Sequence, residues 1–318
     1  MRIKHLSIGN INIDIYLYVE RLPGPDEELP VMEASIGPGG AASNYAVGVA
    51  RAGHESYLLA HTTRDAEALG ILGRLREAGV KLDYVIVHEE GTPGIVVVVV
   101  AKGGETVMFK VRGVNALLRG DEISGEFDVV HIASVEPTVV ERVTRQVSTR
   151  IISYDPGGAV AISNPSEVAK LAGRVTILSL NAREFLHVFG LGVASVSERL
   201  DKNWMLIRLG ARGSLLVSNG RALHTRVCKL GEPVDTTGAG DAFNAYFNAW
   251  IAEGNEVEEA LEVASIAAGL KVLKRGAQSI PSREEVEEVW RKGICKGIVR
   301  RVTLEEAEQL VRETVGSS

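Results

Sequence analysis

Strand-like and helix-like segments alternate along most of this chain, and no other feature of the sequence restricts its fold as tightly. Residues 3–8 read as an apolar strand, 41–52 as a helix and 56–60 as another short strand. Within 66–78, Leu69, Leu72, Leu75 and Ala78 recur at the spacing of one helix face. The middle of the chain repeats the pattern: strands at 129–133, 151–154 and 175–180 precede helices at 139–148, 165–171 and 182–189. Further on, 205–209 and 214–218 read as strands, and 237–253, 257–273 and 283–292 as helices. Parallel strands need long crossover connections, and helices supply them while covering both faces of the sheet. The expectation is therefore an α/β fold with a mainly parallel central sheet. Two stretches break the alternation. Residues 13–32 and 91–112 carry strands without intervening helices, the second with a hairpin turn at Gly103-Gly104. They predict a small β-sheet set apart from the main one.

Composition excludes several function classes. Of 318 residues, 35 are Lys or Arg and 41 are Asp or Glu, a net charge of −6 with no basic stripe, so no nucleic-acid partner is expected. The longest apolar run, 95–101, is too short to cross a bilayer, so no membrane partner is expected either. Cys228 and Cys295 are isolated and lack metal-ligand spacing, which supports neither a disulfide framework nor a zinc site. With a start that runs straight into a strand, this points to the reducing cytoplasm. Few Gln, Cys and Met beside abundant Val, Glu and Arg point weakly to a thermophilic source.

The segment Asp235-Thr236-Thr237-Gly238-Ala239-Gly240-Asp241-Ala242-Phe243 stands at the start of a long helical pattern. Small residues at 238–240 let backbone N–H groups converge on an anion, and the helix dipole adds positive potential there. Asp241 beside such an anion hole could take a proton from an attacking hydroxyl. The plainer alternative is a Gly-rich helix start with an acidic cap. Asn12 and Asp14 are two apart on a strand and so share a face, offering polar groups to vicinal hydroxyls. Gly39 and Gly40 permit close backbone approach to a ligand, and Asn44 follows on the first turn of a helix. Asn181 and Glu184, three apart at a strand-to-helix junction, suit a hydrated Mg²⁺ or a capping box, and the two roles are compatible.

Taken together, these strings resemble the ribokinase (PfkB) family of carbohydrate and nucleoside kinases. The family pattern Asp-Thr-x-Gly-Ala-Gly-Asp-x-Phe is matched at every fixed position of 235–243. Asn12-Ile13-Asp14 resembles the substrate-binding Asn-x-Asp, and Gly39 to Asn44 the Gly-Gly-x-x-x-Asn signature. Asn181 to Glu184 resembles Asn-x-x-Glu, and Leu209 to Gly213 the nucleotide-side Leu-Gly-x-x-Gly turn with Gly210 and Gly213. The likeness covers about residues 1–282 and implies a three-layer αβα sandwich with a β lid from about 13–35 and 91–112. A helical extension over 283–318 would follow. The resemblance further implies ATP as donor, with ADP as the alternative, and a ribose-like sugar or nucleoside as acceptor. Asn181 and Glu184 would bind Mg²⁺ through water, Thr237 would border the nucleotide, and the carbonyls of Asp235 and Thr237 would bind K⁺. Lid strands that pair between protomers imply a homodimer. A metabolite sensor on a kinase scaffold is the competing class.

Departures from the family pattern bear on the substrate. Ala41 stands where ribokinases carry Lys, and Thr63-Arg64-Asp65 replaces Gly-Asp-Asp. Arg64 and Arg112 would suit a sugar phosphate if both turned inward. Asp155-Pro156-Gly157-Gly158 lacks the Asp-x-Asn-x-Arg form of several sugar-acid kinases. Tyr16, Tyr18, Met108 and Phe109 are the lid residues large enough to stack on a base.

Overall fold

The computed structural model describes residues 2–103 and 105–316, so Gly104 of the expected hairpin turn lies outside the described residues. In chain order the strands are β1 (Lys4–Gly9), β2 (Asn12–Val19), β3 (Glu33–Gly39), β4 (Glu55–Thr63), β5 (Val80–His88), β6 (Gly94–Ala101) and β7 (Thr106–Val111). The series continues with β8 (Gly125–Ala133), β9 (Val147–Asp155), β10 (Ile177–Asn181), β11 (Trp204–Arg208), β12 (Ser214–Ser218), β13 (Arg221–Thr225) and β14 (Val299–Val302). Among the described residues, ten of these form one sheet in the order β14-β13-β12-β11-β10-β9-β8-β1-β4-β5. Pairing is parallel from β5 to β11, and β12, β13 and β14 finish that edge antiparallel.

Strand β1 explains where a ligand can sit. Its neighbours are β4 and β8, so the strand order reverses around it, and open α/β sheets bind ligands beyond the C-terminal ends of strands at such a reversal. Its side chains alternate: Leu6 and Ile8 are buried in one core, while the buried His5 and Ser7 face the opposite layer. Helices Pro137–Gln146, Ala182–Phe189 and Leu304–Gly316 cover the Leu6 side, where Ile132, Tyr154 and Phe185 pack. Helices Ala41–Arg51, Ala239–Ala252, Val257–Lys271 and Arg283–Arg291 cover the other, with Tyr246, Phe247 and Leu261 against Leu58 and Leu206. These are the three expected layers.

Element ends differ from the expected ones for local reasons. The helix expected from Thr237 begins at Ala239, because Gly238 is left-handed at φ 80° and serves as its N-cap. Pro137 starts its helix two residues early, at a position where a missing N–H costs nothing. The separate small sheet has the order β3-β2-β6-β7. Strand β3 runs through Gly37-Pro38-Gly39 and pairs Gly39 with Asn12. The small sheet is mixed rather than a pair of hairpins, because β2 and β6 run parallel.

The last segment departs further. A helical extension was expected over 283–318, but between helices Arg283–Arg291 and Leu304–Gly316 lies β14, which pairs with β13 and forms the sheet edge. Cys228 and Cys295, whose spacing supported no disulfide framework, form a disulfide with Cα atoms 5.6 Å apart and a sequence separation of 67. Their spacing carries no signal, because the pairing arises only when the 293–298 turn folds back beside the end of β13.

Candidate active site

The 235–241 segment is pinned at several points. Asp235 Oδ1 accepts the Thr237 N–H at 2.9 Å and Oδ2 accepts the Gly276 N–H at 2.8 Å, tying this loop to the turn after helix Val257–Lys271. Despite partial burial, these bonds hold the Asp235 carboxyl below its ordinary range. A Cβ on Gly238 would lie 2.3 Å from the Ala277 carbonyl oxygen, so only glycine fits there. The Ala239 N–H was expected in the anion hole, but it donates to the Thr236 carbonyl at 3.2 Å, closing a turn. The next amides, of Gly240 and Asp241, belong to a first helical turn that has no intrahelical acceptor for them.

Asp241 sits third in that helix. Asn44 Nδ2 donates to its Oδ2 at 2.8 Å, and Gln278 Nε2 donates to Asn44 Oδ1 at 3.2 Å. The Gln278 bond fixes which way the Asn44 amide points, since its oxygen must face a donor and its NH₂ an acceptor. Asn44, expected to grip a substrate hydroxyl, is thus committed to the carboxylate. Burial pushes the Asp241 carboxyl up to about 6, against the opposing effect of the Asn44 bond.

Across from it, β2 brings Asn12 and Asp14 to the site. Gly39 lies where a Cβ would be 2.0 Å from the Asp14 carboxylate, so this glycine makes the seat of that side chain. Gly40, at φ 99°, would put a Cβ 2.4 Å from the Asn10 carbonyl oxygen. Asp14 is buried, and its Oδ1 has no hydrogen-bond partner within the protein. A buried carboxylate oxygen left without a partner calls for a donor such as a hydroxyl. Burial pushes its carboxyl up to about 7, with Lys110 opposing and Asp241 adding. Lys110 follows from register: Asp14 pairs with Val96, and Val96 with Lys110, so the three stand in one row across the lid. Met108 shares that face with Tyr16, whereas Phe109 lies on the outer face. Asn12 Oδ1 accepts from Asn115 Nδ2 at 3.0 Å, which orients it.

At the junction of β10 and helix Ala182–Phe189, Asn181 and Glu184 form a complete capping box: Asn181 Oδ1 accepts the Glu184 N–H at 2.9 Å, and Glu184 Oε2 accepts the Asn181 N–H at 2.8 Å. The cap uses only Oε2, and a hydrated Mg²⁺ needs few protein ligands, so Oε1 of Glu184 remains suited to it. Burial raises the Glu184 carboxyl, Asp155 adds to the rise, and Arg208 opposes it. Arg208 escaped the sequence reading. Its NH1 donates to Asp155 Oδ2 at 2.6 Å and to Ser179 Oγ at 2.7 Å, while NH2 lies 3.8 Å from Glu184. Asn244 Nδ2 donates to the same Asp155 oxygen at 3.0 Å. Burial alone would weaken the guanidinium charge, but Asp155 and Glu184 outweigh it. Its Nε comes within 3.2 Å of where a Gly240 Cβ would be, so this charge lies beside the anion hole. The one available signal was a cation ending an otherwise apolar strand, Trp204–Arg208. Gly210 and Gly213 take φ of 57° and 94° and make the tight turn from β11 to β12. Arg64 and Arg112 do not turn inward; they pair at the surface with Glu89 and Glu136.

Known proteins resemble this chain along most of its length. A model of the pfkB family of carbohydrate kinases matches residues 2–284. The chain is 30% identical over 299 residues to an ATP-dependent ribose-1-phosphate kinase of Halopiger xanaduensis, covering 89% of this chain and 97% of that one. It is also 30% identical over 296 residues to the ribokinase of Bacillus subtilis, with the same two coverages. Among solved structures, the Methanocaldococcus jannaschii nucleoside kinase superposes with a TM-score of 0.81 at 22% identity, covering 92% of this chain and 99% of that one. Arabidopsis thaliana ribokinase, solved with ribose and ATP, gives 0.73 at 27%, covering 91% and 99%. The chain therefore belongs to the pfkB family of carbohydrate kinases, and is a phosphotransferase of ribokinase-like fold acting on a sugar or nucleoside.

Proposed function

We propose that this protein uses ATP and Mg²⁺ to phosphorylate a hydroxyl of a ribose-like sugar or a nucleoside. One observation carries the reading: a buried carboxylate, Asp241, on the first turn of a helix, bonded by Asn44 and pushed up to about 6. Such a base is mostly ionised at neutral pH and still accepts a proton readily. The acceptor hydroxyl gives its proton to Asp241 as its oxygen attacks the γ-phosphorus, and the bond to the departing ADP breaks. The amides of Gly240 and Asp241, together with the Arg208 charge, face the negative charge on the transferred group. Asn12 and the unpartnered Asp14 oxygen grip the acceptor. Mg²⁺, held through water by Glu184 and Asn181, would neutralise the nucleotide phosphates. Closure of the lid keeps water from competing with the acceptor.

A sugar phosphate is the second reading, favoured by the likeness to a ribose-1-phosphate kinase. With Arg64 and Arg112 paired at the surface, Lys110 is the cation on the lid face that would meet the added phosphate. A homodimer through the lid is supported by its outer face, where Ile36, Val107, Phe109 and Val111 are exposed. We place the protein in the cytoplasm, where its donor is made. No helix among the described residues is long and apolar enough to cross a membrane. The disulfide accords with a thermophilic cytoplasm, since intracellular proteins of hyperthermophiles are disulfide-rich.

The test is nucleotide product formation with Mg²⁺ and either ATP or ADP as donor, across ribose, nucleosides and ribose phosphates. Acceptor-dependent ADP release from ATP is expected with ribose or a nucleoside. Calorimetric binding of these ligands without product from either donor would overturn the reading in favour of a sensor.

A further inference from the structure

The K⁺ site that the family likeness implies does not fit this chain. Its expected ligands include the carbonyl oxygen of Asp235, and a side chain already holds that atom. Lys271, the last residue of helix Val257–Lys271, is fully buried at 0% exposure. Its Nζ donates to the Asp235 carbonyl at 2.8 Å and to the Lys274 carbonyl at 3.4 Å, and lies 4.0 Å from the Asp235 carboxylate. Three oxygens from two segments thus surround a single positive charge, as they would surround a bound monovalent cation. An ammonium and K⁺ are both monovalent and both satisfied by carbonyl oxygens, so a K⁺ entering here would meet an occupied ligand and a like charge.

We propose that the Lys271 ammonium takes the place of the monovalent cation, tethering the loop before the anion hole and making turnover independent of K⁺. The charge acts through Asp235, whose carboxylate holds the amide of Thr237, immediately before Gly238, and that of Gly276 in the facing turn. Lys271 is therefore a positioning residue, one that touches no reacting atom. The activity arm of the test rests on the kinase reading above; the binding arm does not.

The experiment titrates KCl against choline chloride at constant ionic strength and follows both the thermal midpoint and kcat and KM. For the unaltered protein, we expect no K⁺-specific rise in midpoint and a kcat that changes less than about twofold, where a coupled effector gives about fivefold or more. In Lys271→Ala the vacated oxygens become available. Its midpoint should rise with K⁺ over choline, and its kcat, lowered without K⁺, should recover about fivefold or more with little change in KM. K⁺ activation of the unaltered protein by that factor, or a K⁺-specific rise in its midpoint, overturns the proposal. So does a folded Lys271→Ala that ignores K⁺ in both readouts. Should that variant not fold, the titration of the unaltered protein decides alone. Should no acceptor be turned over, the midpoint still decides, so failure of the substrate assignment is told apart from failure of this one.

Discussion

The corner around Asp241 and the lid around Asp14 bring two carboxylates to one cleft and treat them differently. In the corner, polar groups partner one another: Asp241 with Asn44, Asn44 with Gln278, Asp155 with Arg208 and Asn244. In the lid, Asp14 keeps an oxygen buried and unpartnered, and apolar residues such as Phe109 stand 61% exposed on the other face. The corner is finished before any ligand arrives; the lid is completed by one. Preorganised groups stabilise developing charge without having to rearrange, so in the proposed function the corner would set the reaction and the lid would select what undergoes it.

That contrast makes substitutions in the two regions separable. The largest effect belongs to the corner. Asp241→Asn keeps the shape and removes the base, so kcat should fall about a thousandfold with nucleotide affinity nearly intact. Steady-state kinetics beside calorimetric nucleotide binding checks this, and a near-normal kcat would break the comparison outright. In the lid, Gly39→Ala forces a methyl group into the Asp14 carboxylate. The expected result is a rise in acceptor KM of about tenfold or more with a much smaller change in kcat. An effect confined to kcat would show that lid and corner are one unit.

Acidity sharpens the same division. In the proposed function Asp241 and Asp14 act in their ionised forms, so kcat/KM should fall as pH drops through about 7 to about 6. Asn44→Ala removes the donor that opposes burial at Asp241, and should move the acid limb of the kcat profile upward by about half a unit to one unit. Stability runs the other way. Burial raises the folded-state pKa of Asp14, so its contribution to stability is fully present at low pH and is lost as pH rises through about 7. Asp14→Asn should thus raise the melting midpoint at pH 8 by roughly a degree or two, and less at pH 5. The smallest effect on turnover is expected far from both regions. Replacing Cys228 and Cys295 with Ser opens a 67-residue loop and should cost about 4 kcal/mol of stability while leaving kcat unchanged at ambient temperature.

What the sequence disclosed follows the range of the interactions. The Asn181–Glu184 cap and the Asp235–Asp241 loop are local, and a motif of a few residues specifies them. Lys110 was readable in principle from strand alternation once Asp14 was placed, but only with the β2–β6–β7 register in hand. Arg208 meets partners 53 and 29 residues away, and Gln278 meets Asn44 across 234, so nothing short in the chain announces them. Strand β14 was missed for another reason. Val299-Arg300-Arg301-Val302 has neither a helical nor a strongly alternating apolar pattern, and the free edge of β13 is what makes it a strand. Arg64 and Arg112 were eligible for the cleft by type alone, and Glu89 and Glu136 drew them to the surface.

Strand β14 also sets an order of events during synthesis. Every residue assigned here to the cleft, through Gln278, is translated before β14, the strand that covers the edge of β13. A ribosome therefore carries, for a time, a chain with its chemistry written and its largest sheet still open along a row of unpaired backbone groups. Premature termination in that interval would release a molecule equipped to react and equally equipped to stick to its neighbours. For this enzyme, the quality of the codons for residues 279–302 should show in yield and solubility before it shows in rate.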